Sequence, residues 1–143
     1  PFCGVGTMLI ERAKKVPAKN LYATDIFADA IGFGRENAKL AGVPVNFIHR
    51  DFFDFKHEYL FDEIVTNMPV RGKKTKEEVD ELYARFFAKA STHMKDKGIL
   101  FMYTNEIAFV KKQLRMHKEY RLLQESLIQK KNDFWLLIIE VKG

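Results

Sequence analysis

A glycine-rich run, PFCGVGT, opens the chain and leads directly into an apolar helical pattern. Gly4 and Gly6 would let the backbone pass close to a ligand, because glycine has no side chain to keep a ligand away. A helix beginning near Thr7 would point its unpaired N–H groups into the same space. The run therefore predicts a site for an anion or a carboxylate, although a plain tight turn explains such a glycine pair equally well.

Polar residues end three consecutive predicted strands. Asp25 follows the glycines by about twenty residues, where a carboxylate commonly accepts hydrogen bonds from ribose hydroxyls. Asp51 and Asn67 end the next two strands in the same way. Each of them alone is more often a helix cap or a turn residue. Because the carboxyl ends of parallel strands meet at one edge of a sheet, the three together predict a shared binding site.

Predicted strands and helices alternate along the chain, and these elements must position the residues named above. Helical spacing of apolar residues predicts helices from residue 7 to a stop at Pro17, over 28–41, over 76–96 with Gly98 as its end, and over 107–116. Short β-rich runs between them predict strands at LYATDI, VNFIHRD, DEIVTN and ILFMYT. The last two runs, YRLLQESLIQ and DFWLLIIEVK, predict a hairpin around KKN. The order favours an α/β sandwich, a mostly parallel sheet that ends in an antiparallel pair.

Composition limits the protein to a few classes. With 143 residues and 47% hydrophobic content, the chain suits one packed domain. No run is long and apolar enough to span a bilayer, so we expect no membrane association and a cytoplasmic location. A net charge of +5 fits a polyanionic partner such as nucleic acid, or simply a solvated basic surface.

Metal and thiol chemistry are not expected. The four histidines lie without metal-ligand spacing, and we predict no metal site. Cys3 has no histidine near it in sequence to act as a base, so we predict that it is not a nucleophile.

The run PFCGVGT resembles the first motif of class I S-adenosylmethionine-dependent methyltransferases, particularly of the RNA methylases associated with a THUMP domain. The usual run there is Asp-Pro-Phe-Cys-Gly-Ser-Gly-Thr; this chain has Val5 in place of the serine and lacks the leading aspartate and its strand. The resemblance extends over nearly all of the chain, and the closing hairpin is similar to the last two strands of that Rossmann-like fold. It implies a methyltransferase catalytic domain over residues 1–143 without its first strand. Upstream residues of the same protein would then complete the sheet and supply any RNA-binding domain.

The resemblance also implies roles for individual residues toward S-adenosylmethionine and its product S-adenosylhomocysteine. Asp25 would hold the ribose, and Ile26 or Phe27 would pack on the adenine. Asp51 and the backbone of Phe52 would read the adenine edge. The remaining residues expected at the cofactor are Phe2, Cys3, Gly4, Gly6, Thr7 and Asn67.

The resemblance places a catalytic motif at Asn67, Met68 and Pro69, where the family usually has Asn-Pro-Pro followed by Tyr or Phe. The Asn67 side-chain oxygen and the next carbonyl would align an exocyclic amine with the methyl group. Pro69 biases Met68 toward the extended backbone that this alignment needs. Val70 would contact the nucleic acid but lacks the aromatic face on which a base stacks. Arg71, Lys73 and Lys74 would hold flanking phosphates, unless this is only a solvated loop.

These observations predict an enzyme that methylates guanine N2 or adenine N6 in rRNA or tRNA. A catalytically weak or inactive domain that binds S-adenosylmethionine or RNA is the alternative, because Met68 and Val70 depart from the usual motif. A DNA adenine methyltransferase or a nucleotide-dependent oxidoreductase fits less well. The closing hairpin and the Asn67-Met68-Pro69 run argue against the oxidoreductase.

Overall fold

A computed structural model describes residues 1–4, 6–15 and 20–142, and of Thr7, Leu9 and Ala13 it describes the backbone alone. In these residues four helices alternate with six strands. The helices are α1 (Thr7–Lys15), α2 (Ala28–Ala41), α3 (Lys76–Ala90) and α4 (Ile107–Met116). The strands are β1 (Tyr22–Asp25), β2 (Asn46–His49), β3 (Phe61–Asn67), β4 (Met94–Thr104), β5 (Tyr120–Gln129) and β6 (Phe134–Val141). The chain divides into two compact units, the first of which is Pro1–Lys56 with Val65–Asn67.

In the first unit α2 packs against the parallel pair β1–β2, and α1 packs against α2. Its core consists of Ile10, Ala23, Ile31, Ala38 and Phe47. Gly42 ends α2 in the left-handed conformation, with φ 70°, as its sequence position predicts.

The second unit is His57–Ile64 with Met68–Gly143, of which the structure describes all but the last residue. Its sheet has the strand order β3-β4-β6-β5, and β6 pairs antiparallel with both β4 and β5. The predicted closing hairpin is therefore confirmed. Helices α3 and α4 pack on each other, and α3 buries Val79, Tyr83, Phe86, Phe87 and Ala90.

The prediction that one helix runs over 76–96 was wrong. The helix ends at Ala90, a 3₁₀ turn covers Ser91–His93, and β4 already begins at Met94. Gly98 lies inside β4, where a Cβ would come within 2.8 Å of the Lys95 carbonyl oxygen. Lys97 beside it has a left-handed φ of 65°, so β4 bends here. The predicted helix stop at Pro17 lies outside the described residues.

Candidate active site

Asp25 joins the glycine-rich loop (residues 1–4 and 6) to the end of β1. Its Oδ2 accepts a hydrogen bond from the Gly4 N–H at 2.8 Å, and its Oδ1 accepts one from the Phe27 N–H at 2.9 Å. The Cys3 N–H donates to the Thr24 carbonyl at 2.9 Å, which fastens the loop to the same strand. A carboxylate has about four acceptor positions. Among the described residues only these two N–H groups donate to Asp25, so two positions remain there for a ligand.

Gly6 and Gly34 leave room for the same aromatic ring. A Cβ at Gly6 would lie 2.8 Å from the Phe47 ring, and a Cβ at Gly34 on α2 would lie 2.6 Å from it. Gly6 also has a φ of 82°, in the left-handed region that favours glycine. Glycine at position 6 is therefore required by packing and backbone conformation together. The Gly34 contact carried no sequence signal, because a glycine within a helix has no fixed partner.

Two exposed apolar residues follow Asp25 directly in the sequence. Ile26 is 54% exposed and Phe27 66% exposed, although burial would favour both of them. A flat ring could pack on exposed apolar residues of this kind, and a hydroxyl group could donate a hydrogen bond to the carboxylate beside them. This arrangement fits the adenosine part of the expected cofactor.

Asp51 lies in the neighbouring turn. The Arg50 N–H donates to the Asp25 carbonyl at 2.9 Å, which brings the end of β2 beside Asp25. The Asp51 carboxylate accepts the Phe53 N–H at 2.9 Å and so caps the 3₁₀ turn Phe52–Asp54. The Phe2 ring of the glycine-rich loop lies 6.2 Å from the Phe52 ring, measured between centroids. These contacts bring the predicted residues of the loop, the end of β1 and this turn together within the first unit.

Cys3 has the properties of a structural thiol. Burial raises its pKa to about 11, so the thiol stays protonated at neutral pH. A protonated thiol is a poor nucleophile, which agrees with the prediction that it takes no part in catalysis.

Asn67 ends β3 with an exposed side chain, and the described residues give that side chain no hydrogen bond. The next residue, Met68, is firmly held: its side chain is only 2% exposed, and its N–H donates to the Tyr103 carbonyl at 3.0 Å. Where the related motif has a proline without an N–H, this chain thus has a methionine whose N–H is satisfied. Val70 follows two residues later and is 53% exposed.

Arg71, predicted from the sequence to contact phosphate, forms an ion pair in the structure. Its Nη2 lies 3.3 Å from Oε1 of Glu106, and its Nε is buried without a partner among the described residues. Glu106 is held in turn, because its N–H donates to the Thr104 hydroxyl at 2.9 Å. Thr104 also shares a hydrogen bond with the hydroxyl of Tyr83, whose pKa burial raises to about 12. Sequence reasoning missed Glu106, Thr104 and Tyr83, because their contacts join elements distant along the chain.

Lys73 and Lys74 are exposed on the turn that follows, which the Lys74 N–H closes by donating to the Arg71 carbonyl at 2.8 Å. We call residues 68–74 the motif loop. Within the described residues no cluster of three or more His, Cys, Asp or Glu side chains could hold a metal ion. No described helix is both long and apolar enough to cross a membrane.

Solved structures of similar shape define the class of fold. TrmN from Thermus thermophilus superposes on the whole chain with a TM-score of 0.84 at 23% identity, and the chain covers 42% of it. The ribosomal protein L11 methylase from Lactobacillus delbrueckii subsp. bulgaricus gives 0.79 at 19% identity, over 99% of this chain and 67% of that one. The M. jannaschii tRNA m1G37 methyltransferase gives 0.74 at 18%, over 99% and 43%. The chain thus has the Rossmann-like α/β fold of class I methyltransferases, with a mostly parallel sheet and antiparallel C-terminal strands.

The chain belongs to the methyltransferase small domain family, whose model matches residues 2–137. The family and the fold imply the use of S-adenosylmethionine. An uncharacterized protein of Mycoplasma genitalium is 38% identical over 73 residues, which are 50% of this chain and 16% of that protein. The chain therefore spans less than half the length of this relative and of TrmN.

Proposed function

We propose that this chain is a catalytic domain that transfers a methyl group from S-adenosylmethionine to an exocyclic base amine, guanine N2 or adenine N6, of rRNA or tRNA. The observation that carries the proposal is that Asp25 binds the Gly4 and Phe27 N–H groups at the end of β1, while an Asn-Met-Pro run begins at the end of β3. Asp25 joins the glycine-rich loop to β1 and keeps acceptor positions for a ribose. Within the family, the PFCGVGT run supports the branch of RNA methylases associated with a THUMP domain.

The cofactor would lie along the first unit. The Asp25 carboxylate would accept the ribose hydroxyls, and Ile26 and Phe27 would lose exposed apolar surface against the adenine. Asp51 and the Phe52 backbone would form hydrogen bonds with the adenine edge. Phe2, Cys3, Gly4, Gly6, Thr7 and Asn67 would complete the cofactor site.

The Asn67 oxygen and the Met68 carbonyl would accept the two N–H groups of the amine and so direct its lone pair. S-adenosylmethionine supplies, when bound, an electrophilic methyl group on a sulfonium. Transfer of this methyl group would form a nitrogen–carbon bond as the sulfur–carbon bond broke, and the amine would then release one proton to water. Pro69 and the bond from the Met68 N–H to Tyr103 would keep the Met68 carbonyl in place.

RNA is the favoured substrate, in the cytoplasm, because the exposed motif loop carries Lys73 and Lys74 beside Val70 and the chain has a net charge of +5. One of the similar structures is a tRNA methyltransferase.

The first test titrates S-adenosylhomocysteine into the full-length protein by calorimetry. Asp25→Ala should weaken binding at least tenfold, since a hydrogen bond to a charged group contributes roughly 1.5–3 kcal/mol. Because Asp25 also closes the loop, Asp25→Asn is needed beside it: this variant keeps one acceptor oxygen and should lose less affinity. Asp29→Ala, which removes an exposed carboxylate from α2, is the matched control. If the wild-type protein binds no cofactor, the enzyme proposal fails.

The second test measures methyl transfer to unmodified bulk rRNA and tRNA. Asn67→Ala should reduce turnover on the order of 100-fold through lost orientation, with cofactor affinity nearly unchanged. Asn37→Ala, on the exposed face of α2, should leave turnover intact. Cofactor binding in a wild-type protein that transfers no methyl group would instead support the alternative, a domain that binds without catalysis.

A further inference from the structure

The turn that joins β5 to β6 (residues 130–133, the hairpin turn) has a fixed shape. The Asp133 N–H donates to the Lys130 carbonyl at 3.3 Å, and Asp133 takes a left-handed φ of 55°. The Asn132 side chain donates to Oε1 of Gln129 at 3.1 Å. The turn therefore presents Lys130 and Lys131 to solvent from a closed backbone.

The two lysines of this turn differ from two lysines of α4 in their ion pairing. On α4, Lys111 lies 3.2 Å from Glu125, and Lys112 lies 3.0 Å from Asp80. Across the described part of the chain no ion pair includes Lys130 or Lys131. The nearest acid in sequence, Asp133, accepts the Trp135 indole N–H at 2.9 Å.

Tyr103 connects the hairpin turn to the motif loop. Its carbonyl accepts the Met68 N–H at 3.0 Å, and its ring stacks on Phe134 with centroids 4.9 Å apart and planes 4° from parallel. Phe134 is paired in register with Gln129, and the hairpin turn lies between these two residues. The turn is thus fixed to the strand that holds the Met68 peptide.

Two lysine pairs therefore lie at one edge of the second unit's sheet. Lys73 and Lys74 follow the end of β3, while Lys130 and Lys131 lie between β5 and β6. In the strand order β3-β4-β6-β5 these loops are two to three strands apart, roughly 10–15 Å. Unpaired lysines at such a spacing suit the phosphates of a few consecutive nucleotides.

We propose that the hairpin turn is a second phosphate-binding element, so that the RNA strand next to the target nucleotide crosses this edge from the motif loop to Lys130 and Lys131. This inference rests on the proposed RNA substrate. An acidic polypeptide is the competing occupant, and the motif loop next to the turn favours RNA over it.

The test measures binding of the full-length protein to bulk tRNA at several KCl concentrations. Replacing both turn lysines (Lys130→Gln with Lys131→Gln) should make the negative slope of log K against log salt shallower by about 1.4–1.8, since each phosphate contact contributes about −0.7 to −0.9. The matched control is Lys111→Gln with Lys112→Gln. It removes two lysines that form ion pairs with Glu125 and Asp80, and it should leave the slope almost unchanged. S-adenosylhomocysteine affinity should stay the same in both variants.

The outcomes separate this inference from the proposed function. A wild-type slope in the turn variant, with tRNA binding and methyl transfer intact, would overturn the role of the turn and leave the enzyme proposal standing. Polyglutamate serves as the acidic polypeptide in a parallel binding measurement. If the turn variant keeps the wild-type salt dependence for tRNA but no longer binds polyglutamate, the turn binds an acidic polypeptide instead of RNA. A wild-type protein that binds S-adenosylhomocysteine but no RNA would overturn both the RNA substrate and this inference.

Discussion

The glycine-rich loop and the motif loop are fixed by different kinds of contact. In the first unit, the backbone N–H groups of Gly4 and Phe27 both donate to the Asp25 carboxylate. In the second unit, the motif loop is fixed by partners from distant elements, the Tyr103 carbonyl and the Glu106 side chain. The first arrangement depends on backbone conformation and the second on tertiary packing. We therefore expect substitutions in the two loops to affect different properties, affinity for the cofactor in one and turnover in the other.

The largest expected effect concerns the thiol of the glycine-rich loop. Because burial raises the Cys3 pKa from 9.0 to about 11, its thiolate fraction at pH 8 should be about 100-fold lower than that of an ordinary cysteine. Alkylation by iodoacetamide at pH 8 should be slower by the same factor. The rate should rise about tenfold for each pH unit until the pH approaches the folded pKa, because only the thiolate reacts.

The control for this measurement is the same protein unfolded in urea, in which alkylation should be fast. Fast alkylation of the folded protein at pH 8 would mean that the loop does not bury the thiol. The backbone hydrogen bonds of Gly4 and Cys3 would then not keep the glycine-rich loop closed over the thiol, and the difference drawn between the two loops would be wrong.

The second prediction concerns the ion pair of the motif loop. Glu106→Gln should lower kcat about tenfold by loosening the loop around Arg71, while the KM for S-adenosylmethionine stays constant. Arg71→Gln should have a similar effect, and the double variant should cost little more than either single one, because both remove the same contact. Lys112→Gln breaks an exposed pair with Asp80 and serves as the control.

The same variants separate two roles for Arg71. If it contacts phosphate, as the sequence predicts, Arg71→Gln should raise the KM for RNA and Glu106→Gln should not. Equal losses of kcat in both variants, with the KM for RNA unchanged, would instead assign Arg71 to positioning of the loop.

Features that depend on residues close in sequence could be predicted, and contacts between distant elements could not. The bounds of α2 and α4 and the closing hairpin were predictable because apolar spacing and the residues at their ends are local features. Asp25 was predictable because a strand end and a glycine run fix its place. The pairing of Arg71 with Glu106 was not, since it joins a loop to a helix cap 35 residues away. Gly98 misled the prediction of α3, because glycine ends helices and bends strands alike.

The smallest expected effect tests the packing beneath the glycine-rich loop. At Gly34 a Cβ would lie 2.6 Å from the Phe47 ring, and a Cβ at Gly6 would lie 2.8 Å from the same ring, so the ring packs closely against both glycines. Overpacking costs roughly 1–3 kcal/mol, and the gain in helix propensity offsets about 0.5–1 of it. Gly34→Ala should therefore lower the free energy of opening of α2 by up to about 2.5 kcal/mol, measured by hydrogen exchange of its amides.

Gly32 provides the matched control on the same helix, because a Cβ there would meet nothing within 4 Å. Gly32→Ala should raise the free energy of opening by about 0.5–1 kcal/mol, since alanine loses less backbone entropy on folding. Opposite signs at two positions one helical half-turn apart would show that Phe47 sets the requirement for glycine. If both substitutions stabilise α2, the Phe47 ring can move away from Gly34, and the glycine-rich loop would depend on its hydrogen bonds to Asp25 and to the Thr24 carbonyl rather than on this packing.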